Sequence, residues 1–423
     1  MRVVVVGAGI SGTMTAYFLH RAGCEVTVVE RESGAADATS FGNGGVIGCT
    51  QVEPWAQPGL PLKLLKWIGR EDAPVLVRVG QIPHVMGWGR RFLARCNAAD
   101  ARDALAVNVR LTLYCLEQFA ALREREKMTG EEYDLGLNGA YKLFFTPEAF
   151  AHAREFGKEL AGLGAPVEAL DSRAAAEREP ALGPIGDHLS GVLAFPKEEI
   201  GDCRKFTRWM ADRLQRAGVR FLYGTGVSRF RVESGRVRAV DTHKGPLDAD
   251  AFVVAAASWT PGLLKDIGIR VPVIPVKGVS ITVPATPWEG ALQSAVIDYS
   301  RLFGLIRIGD RLRVSGSAEV TGYNTVPSPA RCKALVDSVL EIFPQFAACM
   351  KAGPPLYWAG LRGNSPDGVP ILGRTPVGNL FLNVGHGPEG WSTSCGGARL
   401  VAAAVTGERP EISMAGLEYS RFH

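Results

Sequence analysis

This 423-residue chain has no long uninterrupted apolar run, no paired-cysteine motif and almost no charge bias. Each absence narrows what it can be. A bilayer-crossing helix needs about 20 consecutive apolar residues, and every apolar stretch here is broken sooner by charge or glycine, which excludes a transmembrane anchor. The eight cysteines, at positions 24, 49, 96, 115, 203, 332, 349 and 395, form no C-x-x-C pair and no zinc-like spacing. They read as reduced, mostly buried thiols, with no metal site expected. The 47 basic and 43 acidic residues leave a net charge of only +4, spread along the chain, too diffuse for a nucleic-acid footprint. Local clusters such as Arg90-Arg91 and Arg123–Lys127 read as solvated helix faces. Internal repeats and low-complexity tracts are missing as well. The first motif opens at residue 7, which leaves no room for a signal peptide, so a cytoplasmic protein is expected. What the chain does have is 46% hydrophobic residues, enough at this length for two or three compact units.

That first motif is VVVVGAGISG, an apolar strand run feeding into G-x-G-x-x-G and then a helical pattern. The spacing predicts a strand over Val3–Val6, a helix over Ser11–Ala22 stopped by Gly23, and a second strand over Val26–Val29 ending at Glu30. This is the full context a dinucleotide site requires. Gly7 permits the tight turn, Gly9 lets the backbone approach a pyrophosphate, and Gly12 lets the helix pack close to the sheet. The phosphates then lie on the helix N-terminus, with Glu30 placed to accept hydrogen bonds from a ribose.

A second glycine turn, Gly385-His386-Gly387-Pro388-Glu389-Gly390, follows a strand over Asn379–Val384 and precedes a helix over Trp391–Thr406 ended by Gly407. It cannot be a second dinucleotide site, because no complete βαβ unit follows it. A turn that presents a helix N-terminus still favours negative charge, and reduced flavin carries such charge around N1 and the C2 carbonyl. The two motifs are therefore complementary: the first would hold the pyrophosphate of FAD, the second its isoalloxazine ring. A merely tight strand–helix turn is the alternative.

Between the motifs, Ser40–Gly48 forms a glycine-rich loop with Asn43, Gly44 and Gly45 as backbone donors, unless it is only a linker. Pro54–Pro74 alternates prolines with the basic-amphipathic Lys63–Ile68. That segment suits a membrane interface or packs on its own domain. A long helical region runs from about Val85 to Met128. Helical periodicity returns at Cys203–Ala217, followed by strands over Val219–Tyr223 and Ala251–Ala257. Runs at Val279–Val283, Phe303–Ile308 and Leu312–Ser315 predict an antiparallel sheet. The expected fold is α/β: a Rossmann-type FAD-binding domain with an inserted α+β substrate domain. The expected division assigns residues 1–60, 190–268 and 355–423 to the discontinuous FAD-binding domain, and 61–189 and 269–354 to the substrate domain.

Taken together, VVVVGAGISG with VVERE, ATSFGNGG (Ala38–Gly45), PWAQPGLPLKLLKW (Pro54–Trp67), GDC with Phe206, PVKGVSIT (Pro275–Thr282), WAGLRGNSPDGVPILGRT (Trp358–Thr375) and LNVGHGPEGWSTSCGGARL (Leu382–Leu400) are similar to the D-amino acid oxidase/glycine oxidase superfamily of FAD enzymes. The chain most closely resembles its small-subunit-type D-amino acid dehydrogenase branch, nearly end to end. The resemblance implies a cofactor set of Gly7, Ala8, Gly9, Ile10, Ser11, Gly12, Glu30 and Arg31 in the first unit, then Ser40, Asn43, Gly44, Gly45 and Val46 in the loop. Val227, Ala257, Trp259, Arg362, Gly387, Gly390, Trp391 and Ser392 complete it. It also implies that Arg362 grips the substrate carboxylate, for which a planar, permanently charged guanidinium is suited; an ion pair with Asp367 is the competing reading. His386 lines the pocket or merely satisfies its turn. Tyr299 and Arg301 assist carboxylate binding or only pack.

The sequence departs from the branch at Gly363, where proline is usual after G-L-R, at Asn364-Ser365, at Val46 in place of glutamine, and at Pro388-Glu389 in place of neutral residues. Glu389 would recognise a second amine or a hydroxyl, or simply favour a helix start. The implied reaction is FAD-dependent oxidative deamination of a D-amino acid, by hydride transfer from Cα to flavin N5, with electrons passed to a quinone or carrier protein. Loose attachment to the inner face of the cytoplasmic membrane would accompany that acceptor. D-Proline or hydroxyproline dehydrogenase and glycine or sarcosine oxidase are alternatives within the class. An NAD-dependent enzyme or a non-catalytic flavin-binding protein are the alternatives outside it.

Overall fold

A computed structural model describes residues 1–71 and 73–422. Its first sheet has six strands in the order Ile371–Arg374, Leu380–Val384, Ala251–Val254, Arg2–Val6, Glu25–Val29 and Arg220–Leu222. Five run parallel and only Ile371–Arg374 is antiparallel. The near-continuous Val runs of Arg2–Val6 and Glu25–Val29 suit strands covered on both faces, and all but their first residues are buried. Helix Ile10–Arg21 leaves the C-terminal end of the central strand, so the first glycine turn lies at the point where neighbouring connections diverge. Open α/β sheets bind ligands there.

A larger mixed sheet lies beside it, in the order Leu356–Asn364, Ile274–Pro284, Arg311–Val320, Phe303–Ile308, Ala295–Asp298, Ala140–Phe144, Gly191–Phe195 and Glu168–Leu170. The short strand Val75–Val77 pairs on Arg311–Val320. Val227–Glu233, Arg236–Thr242 and Gly245–Asp248 make a separate antiparallel ribbon.

Three sequence expectations are corrected here. Gly191–Phe195 and Leu356–Asn364, assigned above to the FAD-binding domain, are strands of the larger sheet. The first pairs with Ala140–Phe144 and the second with Ile274–Pro284. The long helical region is two helices, Ile82–Arg95 and Ala98–Glu126, separated where Asn97 caps the second by accepting from the Asp100 N–H at 3.0 Å. A capping side chain competes with continuation of the preceding helix. Helix Ala98–Glu126 also packs against the six-stranded unit despite lying in the expected substrate segment. Leu111, Tyr114, Phe119 and Leu122 are buried in the same core as Val3, Val26 and Leu400. Each such side chain contributes about 1.5–3 kcal/mol of burial free energy, and that gain outweighs proximity in sequence.

All eight cysteines are free, seven of them buried. Among the described residues no helix is long and apolar enough to cross a membrane, and no group of His, Cys, Asp or Glu is arranged to hold a metal ion.

Candidate active site

The two sheets enclose a cavity of about 1350 Å³ that runs from the first glycine turn to the middle of the larger sheet. Its walls at one end are Gly7, Gly9, Ile10, Ser11, Glu30 and Arg31, then Ser40, Asn43, Gly44 and Val46, with Val227, Ala257 and Trp259. At the other end are Tyr299, Arg362, His386, Gly387, Gly390 and Ser392.

The first end is built by backbone constraint. Gly7 has φ of 109°, and a Cβ there would lie 2.6 Å from the Ala255 carbonyl oxygen, so only glycine makes this turn. Gly9 precedes the helix without any side-chain cap, which leaves first-turn N–H groups open to an anion. Ser40 Oγ accepts from the Ile10 N–H at 3.1 Å and so ties the glycine loop to the helix start. Glu30 accepts from the N–H groups of Ala8 at 2.7 Å and Glu32 at 2.8 Å, one on each carboxylate oxygen. Each oxygen keeps a lone pair for a ribose hydroxyl. Beyond it the Arg31 guanidinium lies 3.9 Å over the Trp259 ring, whose other neighbour is the Tyr323 ring, tilted by 32° with centroids 4.3 Å apart. A glycine cradle, a helix start whose own cap residue is glycine and a half-satisfied carboxylate fit the pyrophosphate and ribose of FAD.

Four residues expected to touch cofactor do not line the cavity. Ala8 is fully buried, its N–H donated to Glu30 and its carbonyl accepting from the Ala36 N–H and the Thr13 hydroxyl. Gly12 is packed against the Gly7 carbonyl, where a side chain would not fit. The Gly45 N–H is spent on Asn43 Oδ1 at 2.8 Å. Trp391, 1% exposed, is wedged edge-on against Phe119 and Tyr133 in the core. The second glycine turn also differs from expectation. Gly387–Glu389 is a short 3-10 turn, and the helix starts only at Ser394.

At the far end Arg362 enters from strand Leu356–Asn364 opposite Val276, and the missing side chain of Gly278 makes room for its guanidinium. Its Nη1 donates to the Ser317 carbonyl at 2.9 Å. No carboxylate pairs with it among the described residues: Asp367 is taken instead by Arg421 at 2.7 Å. Burial pushes the Arg362 pKa down to about 10, still cationic at neutral pH. Ser317 adopts φ of 66° and donates its hydroxyl to Glu319 at 3.0 Å, and Glu319 forms a buried pair with Lys277 at 3.1 Å. Arg301 faces away from the cavity, paired with Asp298 at 3.0 Å and Glu341 at 2.6 Å. Tyr299 does face it and is 45% exposed. The surrounding atoms and the nearby Glu53, Glu389 and Glu198 push its phenol well above the usual range.

His386 is held at both ring nitrogens, by Thr393 Oγ1 and by Asn383 Oδ1, each at 2.8 Å. Since the Asn383 amide nitrogen donates to Thr15 Oγ1 at 2.9 Å, its Oδ1 accepts from Nε2–H, while the Thr393 hydroxyl beside Nδ1 donates its proton to the Glu389 carbonyl at 2.8 Å. Burial lowers the His386 pKa to about 4. The ring is neutral and lines the cavity as a fixed wall, satisfying its turn at the same time.

Sequence reasoning missed two supporting groups. Arg313 donates to the Asn43 carbonyl at 3.0 Å and to Thr282 Oγ1 at 3.1 Å, which anchors the glycine loop to the larger sheet. Asp202, which caps helix Cys203–Arg216, lies 3.6 Å from the same arginine. An Asp directly before a helical run was a legible cap signal; its second partner was not. The other missed group is the buried pair Glu198 and Lys142, which stand behind Glu389 of the cavity wall and act on it.

Comparison with known proteins agrees with this architecture. The profile of the FAD dependent oxidoreductase family (DAO) matches residues 2–404. The D-amino acid dehydrogenase of Rhizobium johnstonii is 41% identical over 422 residues, covering 100% of both chains. That of Allorhizobium ampelinum is 40% identical, covering 100% of this chain and 99% of its own. Among solved structures, glycine oxidase from Geobacillus kaustophilus superposes with a TM-score of 0.77 at 22% identity, covering 99% of each chain. L-Proline dehydrogenase from P. horikoshii gives 0.77 at 18% identity, covering 100% of this chain and 97% of its own. At such identities the likeness is one of fold. The match over nearly all of the chain, with relatives of about 40% identity along its full length, places this protein in the FAD-dependent oxidoreductase family.

Proposed function

We propose that the chain is a D-amino acid dehydrogenase that converts D-amino acids to 2-oxo acids and ammonia. The observation that carries the reading is Arg362, a cation in the cavity wall with one carbonyl contact and no acidic partner among the described residues. An unpaired buried cation is costly, and a substrate carboxylate relieves that cost with two parallel charge-assisted hydrogen bonds. Bound FAD supplies the acceptor for the hydride that leaves Cα. The protein's own part is positioning: Arg362 fixes the carboxylate, Tyr299 forms part of the cavity wall, and the neutral His386 keeps its turn rigid without adding charge. The Gly7–Gly12 turn and Glu30 hold the pyrophosphate and ribose, with Ser40, Asn43 and Gly44 along the cofactor. The deciding experiment is anaerobic bleaching of the bound flavin across a panel of D- and L-amino acids. Bleaching by D-enantiomers alone supports the reading. Bleaching only by D-proline-like secondary amines, or only by glycine and sarcosine, transfers it to those substrates.

We further infer that electrons leave to a quinone or carrier protein, with the protein resting on a membrane surface. Helix Leu60–Trp67 buries none of its residues, and Leu62 and Leu65 are 70% and 71% exposed. Val79, Met86 and Leu93 are exposed as well, and helices Leu60–Trp67 and Ile82–Arg95 both line the cavity. An apolar face flanked by Lys63 and Lys66 at the mouth of a cavity suits an interfacial segment that admits a lipid-soluble acceptor. Turnover with a soluble quinone is compared with peroxide release in air. Rapid peroxide formation with quinone ignored overturns this acceptor.

A further inference from the structure

Glu389 is 6% exposed, and both of its carboxylate oxygens are buried without a hydrogen-bond partner, although the residue lines the cavity. Buried polar atoms without partners are rare in native proteins and call for an explanation. A helix-start role is ruled out by the distance in sequence to the helix that begins at Ser394. The neighbours do not satisfy Glu389 either. Glu198 accepts from the Thr50 N–H at 2.5 Å and the Thr50 hydroxyl at 2.7 Å. Lys142, the cation of the set, has its ammonium 4.2 Å over the Tyr299 ring. Glu53 lines a small recess that opens beside Glu389. Three carboxyl groups thus act on one ammonium, and Glu389 is the one whose two oxygens are both buried without a partner among the described residues.

Resting on the reading of Arg362 as the carboxylate clamp, we propose that Glu389 forms a cation subsite that receives a second, ammonium-bearing arm of the substrate. The preferred substrates are then basic D-amino acids. With the carboxylate on Arg362 and the distal ammonium on Glu389, the substrate is held at both ends, and its Cα is oriented by two charged contacts rather than one. The subsite responds to pH in a definite direction. Burial, reinforced by Glu198 and opposed by Lys142, raises the Glu389 pKa to about 8. Burial likewise raises the Glu198 pKa to about 7, and it lowers that of Lys142 while Glu53, Glu198 and Glu389 oppose the shift. Tyr299 and the buried Cys49 thiol, both raised by burial, stay neutral beside it. An arriving ammonium stabilises the carboxylate form, so binding at pH 7 releases a proton and tightens as pH rises toward 8.

The test uses the FAD-loaded protein and carboxylates that lack an α-amine. A series of ω-amino carboxylates is titrated against the matching alkanoates and ω-hydroxy carboxylates, by calorimetry and by perturbation of the flavin spectrum. The expected result is one chain length at which the ω-amino ligand binds on the order of tenfold to a hundredfold tighter than its alkanoate. Proton release should appear as a dependence of the heat on buffer ionisation. Glu389→Leu and Glu389→Gln should each lower that ratio, and FAD content and melting temperature report whether each variant folds. Equal affinity for ω-amino and alkyl ligands in the parent overturns the proposal, as does a ratio that survives in either folded variant or a preference for the hydroxyl series. The two readings fail separately. Bleaching by D-alanine without any ω-amino preference leaves the D-amino acid reading standing and removes the subsite. An ω-amino preference without bleaching by any D-amino acid removes the D-amino acid reading and keeps the subsite.

Discussion

Arg362 and Ser317 act as a pair. The serine's carbonyl orients the guanidinium at 2.9 Å, while its hydroxyl is tied to Glu319. Arg362→Ala is expected to raise KM steeply and slow anaerobic flavin reduction by about a hundredfold or more, since a charge-assisted bidentate contact is worth roughly 1.5–3 kcal/mol or above. FAD content should stay near that of the parent. Arg362→Lys should rescue little, because it keeps the charge and loses the fork. Stopped-flow reduction at several substrate concentrations separates the binding loss from the rate loss, and an unchanged Arg362→Ala places carboxylate binding elsewhere.

The buried titratable residues also predict how stability follows pH. Glu389 and Glu198 have folded pKa values raised by burial to about 8 and about 7. Their protonated forms are favoured in the fold, so stability is fully present below the ordinary carboxyl pKa and is lost as pH rises through those values. His386 runs the other way: its pKa is depressed to about 4 by burial, and its contribution, present above pH 6.5, is lost as pH falls through 4. Melting temperature should therefore decline from about pH 6 toward pH 9, and the decline should be shallower in Glu389→Gln. An equal slope in both proteins removes Glu389 as a source of the dependence.

At the scale of elements, the opening strand–turn–helix–strand unit holds its geometry locally, and a change within it should act on the cofactor alone. Gly9→Leu is expected to strip FAD, because a side chain there points toward Ser40 Oγ and into the cavity at the helix start. Absorbance at flavin wavelengths per mole of protein checks it, and full occupancy in this variant would refute the pyrophosphate assignment. Helix Leu60–Trp67 is the opposite case, an element that buries none of its residues and exposes Leu62 and Leu65. Lys63→Glu combined with Lys66→Glu should reduce co-sedimentation with anionic liposomes while turnover with a soluble quinone is kept. Unchanged sedimentation would dismiss the membrane role.

At the scale of the molecule, the cavity exists only because two sheets of different origin face each other. The chain crosses between them repeatedly, so that Arg362 lies within a strand of the larger sheet while Glu389 follows a strand of the smaller one. This arrangement predicts substrate selection by handedness, since carboxylate clamp, aromatic wall and cofactor cradle are fixed relative to one another. D-Enantiomers should bleach the flavin, and equal bleaching by both hands would contradict a three-point site.

Much of this was legible in the amino-acid order alone. The βαβ unit, the glycine loop and the helix-ending glycines are set by contacts within a few residues, where backbone freedom and apolar periodicity decide the outcome. The positions of strands Gly191–Phe195 and Leu356–Asn364, the split at Asn97, the partner of Asp367 and the interior placement of Trp391 were not legible. Each depends on which distant surface offers the better burial or the nearer opposite charge, and nothing local encodes that choice. The same holds at the site: the sequence by itself determined the FAD cofactor, through its glycine motifs, and the resemblance singled out Arg362 as the candidate carboxylate clamp. Only the tertiary structure decided that Arg362 has no acidic partner among the described residues, that His386 is held neutral, and that Glu389 lies buried with both oxygens unpaired. Those three states follow from long-range packing that removes water from charged and polar groups, a consequence of the assembled fold and of no single segment.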